Sequence, residues 1–257
     1  MQQDNWNAKD YANHSKAQEI WAKELITKLD LKGDEAILDL GCGDGKITNI
    51  LNDSTKNNVI GVDKNKAMVT FATASYHNIT FYQMDATKLT FENKFDIVFS
   101  NAVLHWISDQ KAVLRGVYRA LKPKGKILLQ FGGYGNAKTI LEVMDKFITN
   151  SSYTKYFKNF KSPYYFPHPK KYNQFLKDTK FKEYDTKLIQ KDMIHQNIKA
   201  FKGWIRTTWF PYTNALPKEL REEFMDEFIR SYLDIIPLDN KNRVHVNMTR
   251  LEVKAIK

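Results

Sequence analysis

The sequence predicts an α/β fold in which a mostly parallel sheet carries helices on both faces. Three observations predict it. Short apolar segments alternate with amphipathic ones from residue 18 to residue 131, as right-handed strand–helix–strand crossovers require. The first apolar segment breaks into the glycine-rich run Gly41-Cys42-Gly43-Asp44-Gly45, a strand-to-helix turn. Acids then stand at successive strand ends, at Asp39, Asp63 and Asp85.

The elements follow in order. Residues 18–29 place Ile20, Trp21, Leu25 and Ile26 on one face of a helix, with the spacing of an amphipathic stripe. Residues 37–40 form the first strand, and Asp44 is the expected N-cap of the helix behind it. Strands are predicted over 59–63, 79–83 and 95–101. Residues 120–126, Ala-Leu-Lys-Pro-Lys-Gly-Lys, close a helix, and 127–131 are the fifth strand. Beyond it the pattern changes: a loop at 132–136, a helix over 139–149 and an aromatic loop over 151–169 holding Tyr164, Tyr165, Phe166 and His168. A short helix over 170–177 and a strand over 183–193 come next. Two further helices, near 199–207 and 217–235, lead to a last strand over 244–256. No internal repeat or linker interrupts the chain.

The glycine turn defines the first chemistry. Glycines allow positive φ and let the backbone approach a ligand that a Cβ would strike. The dinucleotide fingerprint, G-x-G-x-x-G, seats a pyrophosphate on a helix N-terminus. Here the spacing is G-x-G-x-G, and Asp39 ahead of it repels phosphate. An acid beside such a turn suits a cationic ligand. The bland alternative, a tight strand–helix connection, leaves the three ordered acids unexplained.

The run Asp-Leu-Gly-Cys-Gly-Asp-Gly resembles the first motif of the class I S-adenosylmethionine-dependent methyltransferases, whose cofactor carries an ammonium and a sulfonium. The resemblance implies a Rossmann-like sheet of seven strands with the last one antiparallel, the strand near residue 183 being the sixth, and a helical lid insertion over the carboxyl edge. It implies a cofactor site at Asp39, Gly41, Cys42, Gly43, Asp63, Lys64, Met68, Asp85, Ala86, Asn101 and Ala102. Within it Asp63 would accept from the ribose hydroxyls and Asp85 from the adenine amino group. Residues 11–18 with Leu104-His105-Trp106 are similar to juvenile hormone acid methyltransferases. Trp6-Asn7 and the stretch 204–217 are similar to trans-aconitate methyltransferases. Both groups methylate carboxylates, so the expected function is O-methylation of a small-molecule acid. Gln18 and Trp106 would orient the acceptor, Arg206 would pair a second carboxylate, and Trp6, Tyr11, His105 and Tyr212 would complete the substrate site. His105 has a structural reading and a general-base reading; Trp106 as core, Gln18 as surface and Arg206 as a solvated residue are the structural alternatives. A carboxylate is already ionised at pH 7, so no base is required. Thr207-Thr208-Trp209-Phe210 departs from the smaller turn expected there.

Composition bounds the remaining classes. A chain of 257 residues with 42% hydrophobic content can bury one sizeable α/β core with insertions. One domain is expected over 1–257, with a core of about 33–131, 180–195 and 243–257. The N-terminal segment 1–30 and the insertions 132–179 and 196–240 would cover the active site. No apolar run approaches the roughly 20 residues of a membrane span, and the N-terminus lacks a signal-peptide layout. The single cysteine, Cys42, excludes an intrachain disulfide and a cysteine metal cluster; no metal is expected, and the cytoplasm is the expected compartment. The net charge of +11 comes from dispersed lysines, which reads as a solvated surface and is compatible with an anionic acceptor. The alternatives are a malonyl group on acyl carrier protein, which would match a basic surface, and a non-catalytic S-adenosylmethionine-binding protein. No nucleic acid or membrane partner is expected. A monomer or weak dimer is.

Overall fold

The computed structural model describes residues 16–56 and 58–257, with side chains from Glu19 onward. Seven strands form one sheet in the order β3-β2-β1-β4-β5-β7-β6. They are β1 (Ile37–Leu40), β2 (Val59–Asp63), β3 (Thr80–Gln83), β4 (Phe95–Asn101), β5 (Leu121–Gly132), β6 (Lys182–His195) and β7 (Val244–Ile256). β1 to β5 are mutually parallel, while β7 runs antiparallel to both β5 and β6. The chain moves outward from β1 to β3 and restarts on the other side at β4. The carboxyl ends of β1 and β4 therefore flank a topological switch point, where open α/β sheets bind their ligands.

Helices α1 (Lys16–Ile26), α2 (Lys46–Asp53), α3 (Lys66–Ser75), α4 (Gln110–Ala120) and α6 (Pro169–Asp178) cover the sheet. Side-chain alternation along β1 shows the division: Leu38 and Leu40 pack with Val113, Val117 and Leu176 on one face, and Ile37 packs with Leu25, Leu51 and Phe99 on the other. Burial on both faces explains why these strands read as continuous apolar runs. Local capping fixes several helix starts: Asn65 Oδ1 accepts from Met68 N at 3.1 Å, and Asp109 Oδ1 from Ala112 N at 2.9 Å, as polar N-cap residues do.

A second apolar core lies beyond the carboxyl edge. It unites α5 (Lys138–Thr149), α7 (Ile198–Thr208), α8 (Phe210–Asn214) and α9 (Arg221–Leu233) with the outer half of the β6–β7 ladder. β5 ends against Arg250, whereas β6 and β7 stay paired as far as His195 and Val244. That overhanging ribbon carries the helical lid.

Several expectations are corrected. The cap of α2 is Gly45, at φ 82°, not Asp44. The left-handed glycine turns the chain one residue later, and Asp44 Oδ1 accepts from Lys46 N at 3.2 Å from outside the helix. Ile20 is exposed; the buried stripe of α1 and the turn after it is Trp21, Ala22, Leu25 and Leu29. The helix before β5 stops at Ala120, and Leu121 already pairs with Phe95. Pro123, which disfavours helix at the residue before it and offers no N–H, accounts for that early stop. α8 and a short 3-10 turn over Ser152–Tyr156 arise where loop was expected.

Candidate functional site

A cleft of about 520 Å³ opens at the switch point between β1 and β4. Its floor is the glycine turn, drawn under β2 by hydrogen bonds from Gly41 N and Cys42 N to Val62 O at 2.7 and 3.0 Å. Gly41 sits at φ 79°, and a Cβ there would lie 2.3 Å from Val103; the turn requires glycine for both reasons. A Cβ on Gly43 would meet open space.

Three acids are held differently. Asp39 on β1 is buried, and its Oδ2 accepts from the Thr48 hydroxyl at 2.7 Å. Burial raises this carboxyl to about 7, against the Thr48 hydrogen bond and with the charges of Asp63 and Asp44 adding to the rise. Asp63, closing β2, accepts from Gly43 N through Oδ2 (3.0 Å) and from Asn65 N through Oδ1 (2.8 Å). Both its oxygens are oriented by backbone N–H groups. Asp85, beyond β3, accepts from Thr87 N and Oγ1 through Oδ1 at 2.9 and 2.8 Å. Partial burial works against its ionisation, but those Thr87 contacts and Lys64 hold the carboxyl below its ordinary range. Glu19, Asp44 and Asp109 also line the cleft, against two lysines, Lys46 and Lys64. This acid excess favours a cationic ligand.

These residues fit S-adenosylmethionine on the structure's own terms. The acid-rich lining matches an ammonium and a sulfonium, the oriented Asp63 carboxylate matches a diol, and the volume lies in the range of small-molecule sites. Cys42 is a wall of this space. Burial, with Asp39 and Asp63 nearby, pushes its thiol well above the usual range, so it is no thiolate nucleophile.

All of Asp39, Gly41, Cys42, Gly43, Asp63, Lys64, Met68, Asp85, Ala86, Asn101 and Ala102 line the one cleft. The acceptor candidates divide. Trp106 lines it, its ring stacked 5.6 Å from Phe210 and edge-on to Tyr164 at 4.8 Å. His105 lies behind Trp106, enclosed by Trp106, Tyr164 and Phe166. Burial, with Arg250 nearby, pushes its pKa well below the ordinary value, so it is a neutral, packed imidazole. Arg206 is exposed on α7 and lines neither the cleft nor the chamber behind it. Tyr212 is buried in the lid core, 4.6 Å from Phe160 and 5.8 Å from Trp209. Both are corrections to the expected acceptor site: each faces away from the cleft on its helix. Trp6 and Tyr11 lie outside the described residues, as does the side chain of Gln18. Phe210, Pro211 and Asn214 of α8 and Pro163 also line this side; the first three lie in the stretch 204–217, but none of the four is among the expected site residues. Among the described residues no helix is long and apolar enough to cross a membrane, and no cluster of His, Cys, Asp and Glu is placed to hold a metal.

Comparison with known proteins agrees with this geometry. Residues 31–148 match a family model described as a methyltransferase domain. A putative methyltransferase, 235L, of Invertebrate iridescent virus 6 is 28% identical over 242 residues, covering 90% of this chain and 86% of the viral protein. The juvenile hormone acid O-methyltransferase of Drosophila melanogaster is 25% identical over 213 residues, covering 77% and 70%. A trans-aconitate 2-methyltransferase of Escherichia coli is 29% identical over 126 residues, 49% of this chain and 50% of the enzyme. In fold, the chain is similar to Haemonchus contortus phosphoethanolamine N-methyltransferase 2, solved with phosphomonomethylethanolamine and S-adenosylhomocysteine. The TM-score is 0.61 at 20% identity, over 93% of this chain and 52% of that one. The sheet order and the acid-lined cleft at its switch point, with these matches, are those of an S-adenosylmethionine-dependent methyltransferase with the class I fold, and residues 31–148 carry its methyltransferase domain.

Proposed function

We propose that this enzyme O-methylates a carboxylate of a small-molecule acid. The observation that carries the proposal is the state of His105. The imidazole beside the acceptor wall is buried among rings, and its pKa is pushed down by burial and by Arg250. Taking up a proton there would place a second cation in a dry site. An acceptor that must lose a proton, such as a hydroxyl or an ammonium, gains no base from this histidine. A carboxylate arrives ionised and needs only orientation and exclusion of water.

The cofactor, when bound, supplies an electrophilic methyl group on sulfur. Asp63 and Asp85 would hold its adenosine, and Asp39 and the glycine turn would face its amino-acid end. Trp106 would present the acid from the far wall, with Gln18 as its partner, while Phe210 and Pro211 exclude solvent. We read the chain as one catalytic domain in which the insertions 132–179 and 196–240 supply the acceptor wall. Relatives named for juvenile hormone acid and trans-aconitate support an acid acceptor. A relative named malonyl-acyl-carrier-protein O-methyltransferase, 31% identical over 135 residues, together with the net charge of +11, keeps an acidic carrier protein as a second form of the same chemistry.

The test is methyl transfer from labelled S-adenosylmethionine to a panel of mono-, di- and tricarboxylic acids, malonyl carrier protein and phosphoethanolamine. Base-labile methyl esters are expected. Methylation of phosphoethanolamine alone overturns the reading.

A further inference from the structure

Behind Trp106 lies a second, smaller chamber of about 50 Å³, joined to the cofactor cleft by the two residues they share, Ala102 and Trp106. We propose that this chamber receives the carboxylate of the methyl acceptor, with Arg250 as its cation and the indole N–H groups of Trp204 and Trp209 as donors. The proposal deepens the carboxylate reading and rests on it.

Charge argues first. Arg250, on β7, is only 3% exposed, with its guanidinium 5.6 Å from the centre of the Trp21 ring. Among the described residues no acid lines the chamber; its walls there are aromatic rings, two methionines, His105, Asn136, Thr208, Ala102 and Arg250. His105 is neutral there, so among the described lining residues the guanidinium of Arg250 carries the formal charge. The cofactor cleft has the opposite sign, set by Asp39, Asp63 and their neighbours. A cationic donor and an anionic acceptor thus meet complementary fields on the two sides of Ala102 and Trp106.

Unsatisfied donors argue second and independently. Trp204 and Trp209 are 1% and 3% exposed, and both line the chamber. Among the described residues the Nε1 of each is buried without a hydrogen-bond partner, as is the Thr208 hydroxyl. A buried donor left unmade costs about 1–3 kcal/mol, and three on one small space call for an acceptor beyond the described residues. Asn136 contributes a further donor, because its Oδ1 is engaged by Thr249 N at 3.2 Å. The Tyr164 hydroxyl is turned away, donating to Thr208 O at 3.1 Å.

Size argues third. A water occupies about 30 Å³ of liquid, so the chamber admits a small planar group and not a whole acceptor. The carboxylate would enter by one oxygen and leave the other at the Ala102–Trp106 mouth, facing the cofactor methyl, with the body of the acid in the cleft against Trp106 and Phe210. Methylation removes the negative charge, and the ester loses the attraction that held the acid. Product release is therefore built into the same contact.

The test uses the full-length protein saturated with S-adenosylhomocysteine, so that no turnover occurs. Binding of hexanoate, glutarate, methyl hexanoate and phosphoethanolamine is followed by calorimetry and by quenching of indole fluorescence. An acid is expected to bind, and Arg250→Met to weaken it by about ten- to a hundredfold, the loss of charge-assisted hydrogen bonds. Arg250→Lys should weaken it less, and Trp209→Phe by about tenfold. Affinity for S-adenosylhomocysteine should stay the same throughout, since none of these residues lines the cofactor cleft. If Arg250→Met does not fold, Trp209→Phe and the preference of the wild type for hexanoate over its ester carry the test. Absence of acid binding to the wild type, equal binding by Arg250→Met, or tighter binding of phosphoethanolamine than of the acids overturns the proposal. Undiminished methyl-ester formation by Arg250→Met sinks the chamber and leaves the carboxylate reading standing. Arg250-dependent acid binding without ester formation does the reverse.

Discussion

Replacing Asp39 by Asn tests whether the cleft stores electrostatic strain that a cationic cofactor relieves. The Asp39 carboxyl is raised from 3.8 to about 7 by burial, opposed by the Thr48 hydroxyl and reinforced by Asp63 and Asp44. A rise of that size disfavours the charged form by about 4 kcal/mol. The folded chain holds this proton more tightly than the unfolded chain does. Between pH ~4 and ~7 it therefore binds more protons, so stability falls as pH rises and levels off above ~7. Asparagine keeps a carbonyl for the Thr48 hydroxyl and removes the charge. Its buried N–H groups cost about 1–3 kcal/mol if they find no partner. The variant should then exceed the wild type by about 1–3 kcal/mol at pH 8 and lose about 2.6 kcal/mol of that margin by pH 5. Cofactor affinity should move the other way. Wild-type binding of S-adenosylmethionine at pH 7 should release about half a proton as the cation draws the carboxyl down, and the variant should bind more weakly without that release. Urea melts at pH 5 to 8 measure the first effect, and calorimetry in buffers of different ionisation enthalpy measures the second. Parallel stability profiles, or a binding enthalpy independent of buffer, would refute the reasoning.

Other expectations follow from the same contacts. Asp63→Asn sets an amide nitrogen against Gly43 N or Asn65 N and should weaken S-adenosylmethionine by about 1.5–3 kcal/mol; an unchanged dissociation constant in calorimetry removes Asp63 from the cofactor site. With cofactor saturating, kcat/KM for an acid acceptor should show no limb near ~6.5, since burial and Arg250 keep His105 neutral. A limb there that vanishes in His105→Gln would make the histidine a base and sink the carboxylate acceptor. Phe224→Ala empties a fully buried site packed against Phe147, Tyr153 and Phe157 and should cost about 3–5 kcal/mol in urea unfolding.

The sheet was legible because its information is local. β1, β2 and β4 are apolar runs of four to seven residues bounded by turn formers, and burial on both faces leaves no polar alternation to confuse them. Elements failed to read where tertiary packing decides. Ile20 shares the apolar character of Trp21 and Leu25, yet it is 57% exposed because the helix meets the sheet along Ala22 and Leu29 instead. α8 depends on the buried ring of Trp209, which packs on Trp204 and Tyr164, contacts that no short window contains.

The two halves of the site differ in the same way, and the difference has a physical origin. Cofactor residues stand at the ends of parallel strands, where topology alone brings them together, so the order of the acids in sequence is their order in space. The proposed acceptor residues come from the lid and the overhanging ribbon, whose placement the sheet does not fix. Arg206 was the natural cation to choose by position along the chain, but it is exposed on α7. Arg250 sits where an alternating strand would put a solvent-facing residue. Because α1 and the turn after it pack over that face of β7, Trp21 against Arg250 and Lys28 against Glu252, both are buried. Glu252 is answered by Lys28 at 2.6 Å and Gln130 at 3.0 Å, whereas Arg250 lines the chamber beside the cleft. Two buried charges in one apolar strand were the visible signal, since burying a charge is costly and rare. One of them is tied into the sheet, and the other lines the chamber beside the cleft. In the proposed reading the sign of the acceptor follows from the overhang of a single ribbon: the parallel strands end in acids that suit a cation, and the antiparallel strand beside them brings the guanidinium that would suit an anionic partner.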